Sequence, residues 1–97
     1  MIHYYSMKTW KTKQLKAFAQ VLTSISTEKD MLAFLRDVAT IQELESLAGR
    51  WQVANMIHNG IPYREIAKQT GLSTATITRV AHWINHGEGG YTKALNQ

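Results

Sequence analysis

The sequence predicts an all-α chain of five to six helices with a helix-turn-helix close to its C-terminus. Three observations carry this. Apolar residues recur at three- and four-residue spacing from Leu15 to Ile84, and no stretch alternates as a strand does. Capping residues, glycine and proline fall between those stripes. Residues 63–84, YREIAKQTGLSTATITRVAHWI, have the form of two short helices joined by a glycine turn.

Residues 1–10 carry no stripe and are expected to form a flexible arm, in which Tyr4, Tyr5 and Trp10 can pack on a partner. The first helix is expected over 12–25, where Leu15, Phe18, Ala19, Leu22 and Ile25 share one stripe, with Lys11, Lys13 and Lys16 off it. Ser24, Ser26 and Thr27 break the run, and Thr27 can cap a second helix over 28–39 that buries Met31, Leu32, Leu35 and Val38. Thr40-Ile41-Gln42-Glu43 is a capping box, a threonine paired with a glutamate three residues on. It opens the longest helix, 41–59, with Leu44, Leu47, Ala48, Trp51 and Ala54 on one stripe and Trp51 read as core. Gly60 suits the position just past a helix end, and Pro62 suits the first turn of the next helix.

In the helix-turn-helix, assigned to 63–85, the first helix turns Ile66 and Ala67 inward, and Ala67 is small where two helices cross. Gly71 accepts the positive φ of a tight exit. Leu72 plugs the turn, and Ser73 or Thr74 caps the second helix. That helix buries Ile77, Val80 or Ala81, and Ile84. Its other side carries Ala75, Thr78, Arg79 and His82, residue types that can enter a major groove and touch base edges. An αα-corner with no DNA partner shares this outline. The agreement of small alanine, turn glycine and apolar spacing with a basic chain favours DNA. Residues 86–90 are too glycine-rich to stay helical, and 91–97 are expected to form a short turn or helix.

A length of 97 residues favours one domain, 1–97. The net charge is +4, distributed as +4 over residues 1–29, −2 over 30–59 and +2 over 60–97, so both ends can meet a polyanion. Lys8, Lys11, Lys13 and Lys16 can form a DNA-binding arm or a solvated terminus. The absence of cysteine removes disulfides, thiol catalysis and cysteine zinc sites, and it suits a cytoplasmic protein. No apolar run approaches a membrane span, and the start lacks a secretory stretch. His82 and His86 stack four apart with Glu88 nearby, but zinc sites need three or four ligands, so no metal is expected. No Ser/His/Asp set, paired-acid site or phosphate loop stands out, so neither an enzyme nor a cofactor is expected. The stripes holding Phe18, Leu22, Leu32, Leu35, Leu44, Leu47, Trp51 and Ile57 are broad enough to be shared between two subunits, or to form one monomeric core.

From Ala39 to Ile84 the chain resembles the Trp repressor superfamily, in particular its branch of Trp repressor-like proteins of the YerC/YecD type. The resemblance rests on Ala39-Thr40 with Glu45-Ser46-Leu47-Ala48-Gly49-Arg50, on Arg64-Glu65, and on Ala75-Thr76-Ile77-Thr78-Arg79 after the glycine turn. It implies an intertwined homodimer that presents one recognition helix to each half of a palindromic operator on double-stranded DNA. By position, Arg64 and Lys68 look like backbone contacts, and Thr74, Ala75 and Thr78 look like base-facing residues. Ser73, Arg79 and His82 complete the expected DNA-binding set. Thr40, Arg50, Thr76 and Arg79 match positions that line the family's tryptophan pocket. Val80 and Trp83 add bulk where that pocket has a glycine and a serine. They are expected either to fill the slot, with Arg79 beside the Trp83 ring, or to leave Trp83 packed near Tyr91. L-tryptophan is accordingly not expected as the effector. The combined expectation is a sequence-specific DNA-binding regulator, a repressor. The alternative is a helical adaptor that docks protein through the same motif.

Overall fold

A computed structural model describes residues 10–97, so most of the expected flexible arm, with Tyr4, Tyr5 and Lys8, lies outside the described residues. All regular structure among the described residues is helical: α1 (Lys13–Ser24), α2 (Glu28–Val38), α3 (Ile41–His58), α4 (Tyr63–Thr70), α5 (Thr74–His86) and α6 (Gly90–Leu95). The chain divides into two compact units, one ending at Thr40 and one spanning Ile41–Gln97.

In the first unit local chemistry sets the helix starts. The Thr12 hydroxyl accepts the Leu15 N–H at 3.1 Å, and the Thr27 hydroxyl accepts the Asp30 N–H at 3.1 Å. Glu28 and Asp30 in the first turn of α2 and Arg36 in its last turn complement the helix dipole. Phe18 meets Phe34 with ring centroids 5.9 Å apart. No residue of α1 or α2 is buried. Leu32, assigned to a buried stripe, is 60% exposed, and Val38 is exposed as well.

The second unit holds the core. Val53, Ala54 and Met56 of α3 meet Ile66 of α4 and Ile77 and Val80 of α5, and Ile57, Ile61, Ala67, Leu72, Ile84, Tyr91 and Leu95 pack around them. The expected α3 stripe needs correction. Only its Ala54 is buried, whereas Leu47 and Trp51 are exposed and the buried face lies in the second half of the helix. Periodicity identifies an apolar face but not how far along the helix its cover extends. Here α4, α5 and α6 all pack on α3.

The α3 exit is fixed by Gly60 at φ +78°, where Gly60 N–H reaches the Ile57 carbonyl and Ile61 N–H reaches the Met56 carbonyl, both at 3.0 Å. That pair of bonds satisfies carbonyls the helix end would otherwise leave open. Pro62 sits one residue before α4, as its N-cap, at φ −59°. The glycine-rich stretch interrupts the helices more briefly than expected. His86 still belongs to α5, and α6 begins at Gly90 after Gly89 turns the chain at φ +86°. Thr92 Oγ1 donates to the Ile84 carbonyl at 3.4 Å, linking α6 to α5.

Candidate nucleic-acid interface

The turn between α4 and α5 is built from short-range bonds. Gly71 adopts φ +75° and donates to the Ala67 carbonyl at 2.9 Å. Thr70 Oγ1 donates to the Ile66 carbonyl at 2.7 Å and accepts the Leu72 N–H at 3.2 Å. Leu72 then joins the core edge. Ser73, rather than Thr74, caps α5: its Oγ accepts the Thr76 N–H at 3.1 Å and lies 3.0 Å from Thr76 Oγ1. The Ser73 side chain is thus engaged in holding the recognition helix.

At about 100° per residue, α5 presents three faces. Ile77, Val80 and Ala81 are buried, and Ile84 packs beside them. Thr74, Ala75, Thr78, Arg79 and His82 are exposed. On α4, Arg64 and Lys68 are exposed at one-turn spacing, on the same helix side. Glu65 accepts a hydrogen bond from Gln69 at 2.8 Å. The eight residues expected to meet DNA therefore lie on the two helices of the motif and the turn between them. His82 and His86 approach with ring centroids 5.0 Å apart, and His82 meets Trp83 edge-on at 5.6 Å. Among the described residues no group of three or more His, Cys, Asp or Glu side chains is placed to hold a metal.

The third face, between the buried and exposed ones, borders a cavity of about 290 Å3. Its walls are Arg50 of α3, Thr76, Arg79, Val80 and Trp83 of α5, and Tyr91 of α6. Five of the six expected effector-pocket residues meet here. Thr40 ends the first unit. The slot is not filled, contrary to one of the two expectations for Trp83. Val80 turns into the core at 3% exposure, and Trp83 stands at the rim at 52% exposure. Trp83 and Tyr91 instead share one wall, so bulk on α5 has been placed around a space. Among the described residues the cation–π contact is that of Lys11 over Trp10, and Arg79 does not stack on Trp83. Tyr91 was not among the expected lining residues. Its place depends on where α6 restarts, which is set by Gly89 and leaves little periodic signal.

A helix-turn-helix with an anchored inner face and a small, polar and basic outer face defines an all-α DNA-binding regulator of transcription. Within that class, the chain belongs to the Trp repressor family, whose model, Trp repressor protein, matches residues 13–97. It is 41% identical over 85 residues to the uncharacterized protein YerC of Bacillus subtilis (strain 168), covering 84% of this chain and 82% of that one. It is also similar to a crystal structure of a TrpR-like protein from Eubacterium eligens ATCC 27750, with a TM-score of 0.83, 37% identity and 89% of each chain covered. A candidate Trp repressor from Staphylococcus aureus superposes with a TM-score of 0.85 at 31% identity, over 93% of this chain and 90% of that one. No helix among the described residues is long and apolar enough to cross a membrane.

Proposed function

We propose that the protein is a sequence-specific repressor that binds a palindromic operator as a homodimer. The observation that carries this is the division of α5. Ile77 and Ala81 anchor the helix, while Ala75, Thr78, Arg79 and His82 stand free on the opposite side. A helix held this way enters the major groove without rearranging. Arg64, Lys68 and Arg79 supply charge near phosphates, and Thr74, Ala75 and Thr78 read base edges. Ser73 fixes the start of the reading helix. The uncovered apolar residues of α1 and α2, and of the first half of α3, favour a second copy of the chain as partner.

The cavity beside α5 is an effector site in this scheme, with Thr40 as a further contributor. Free L-tryptophan is not its corepressor. Val80 and Trp83 reshape the site around a different ligand, and DNA binding needs no tryptophan. Incubating the protein with pooled genomic fragments and sequencing those retained tests the proposal. Reproducible peaks centred on a palindrome are expected with no tryptophan present. Retention without any shared sequence would count against a sequence-specific regulator and favour a protein-docking role for the motif.

A further inference from the structure

The cavity at the border of α5 is charged with one sign and walled with rings. Arg50 and Arg79 both line it, and among the described residues neither guanidinium has an ion pair or hydrogen bond. Opposite them stand Val80, Trp83 and Tyr91. No carboxylate lines this wall. The nearest acid, Glu45, belongs to an adjoining cleft that shares Arg50, Thr76 and Arg79.

We infer that this cavity takes a small planar aromatic acid that carries a carboxylate and no ammonium group. The inference rests on reading the cavity as an effector site and adds the chemistry of its ligand. Two unpaired guanidiniums match a carboxylate through charge-assisted, fork-shaped hydrogen bonds. The ring of the ligand then lies against Trp83 and Tyr91, which favour offset or edge contacts. An inorganic anion would satisfy the arginines but leave the apolar half of the wall wet. A cation would face two positive charges. A zwitterion would gain at its carboxylate and lose at its ammonium, which finds only hydroxyl groups on this wall. The backbone carbonyls of α5 are taken up in the helix, and that of Trp83 accepts the Gly87 N–H at 3.0 Å. Size sets the remaining limit. A cavity of about 290 Å3 lies at the small end of ligand sites, so one ring or two fused rings fit and a nucleotide does not.

Titration calorimetry on the full chain, without DNA, tests this with a graded set of probes: indole-3-acetate, L-tryptophan, tryptamine, indole and acetate. Indole-3-acetate should bind most tightly, at least about tenfold ahead of L-tryptophan and indole, with tryptamine and acetate weakest. Arg50→Gln and Arg79→Gln should each weaken indole-3-acetate by roughly 10- to 100-fold and leave the unfolding midpoint near that of the parent. L-tryptophan or tryptamine binding as well as indole-3-acetate would overturn the inference, and so would no detectable binding of indole-3-acetate at millimolar concentration. Either result with operator binding intact would remove the ligand assignment alone. Loss of operator binding with the probe order as expected would instead remove the regulatory reading.

Discussion

Thr78 is the side chain on which sequence preference is expected to turn. It sits near the middle of α5, exposed, and offers a hydroxyl and a methyl to a base edge. Thr78→Ala should change selectivity at one operator position by about 1–3 kcal/mol, read as altered motif logos in a binding selection. Arg64 and Lys68 act differently, because a phosphate carries no sequence information. Arg64→Ala or Lys68→Ala should weaken all sequences alike and flatten the log–log salt slope by about 0.9 for each lost contact. If Thr78→Ala left selectivity and affinity untouched, the base-reading face would lie elsewhere. These positions were legible in the sequence because exposure on a short anchored helix follows from the apolar residues beside it. Ile77 and Ala81 fix which way Thr78 points. Trp51 was not legible in the same way: it shares a stripe with Ala54, yet it is 41% exposed while Ala54 is fully buried.

At the scale of the element, helix boundaries were the most readable feature, since caps are chemistry between neighbours. Thr12, Thr27 and Ser73 each bond the N–H three residues on, and Gly60 and Gly71 each take the positive φ their turns need. The cavity was less readable, because it depends on what α3 and α6 bring up to α5. Spacing along α5 groups Thr76, Arg79, Val80 and Trp83, but it does not say whether Arg50 and Tyr91 close the gap or leave it open. The same helix yields a contrast in stability. Val80 is 3% exposed and belongs to the core cluster, so Val80→Gly should cost roughly 2–4 kcal/mol through lost packing and backbone freedom. Trp83 is half exposed at the rim, so Trp83→Ser should cost much less. Ser73→Ala removes the cap and should cost about 1 kcal/mol. Urea unfolding of the three variants ranks them. A Trp83→Ser cost equal to that of Val80→Gly would mean that Trp83 belongs to the core and is not a wall of the cavity.

For the whole molecule, the distribution of apolar surface is the main physical problem. The buried core is confined to the second unit, while Leu32, Val38, Ile41, Leu47 and Trp51 lie open to water. Surface of this kind, spread over three consecutive helices, is the sort that a partner chain covers. The family resemblance specifies the partner as a second copy, and an operator with two half-sites needs two recognition helices about one DNA turn, roughly 34 Å, apart. Both requirements meet in one measurement. The chain should sediment as a dimer at micromolar concentration, and Leu32→Lys should shift it toward monomer. Because Leu32 is 60% exposed within the single chain, that substitution removes no packing from the subunit itself. The variant should therefore keep its helical circular dichroism and lose the dimer. With half the phosphate contacts, its salt slope on operator DNA should fall to about half that of the parent, and its preference for palindromic over single half-sites should disappear. A parent chain that sediments as a compact monomer, with Leu32→Lys binding DNA as tightly as the parent does, would leave the open apolar surface unexplained and would separate DNA binding from dimerisation.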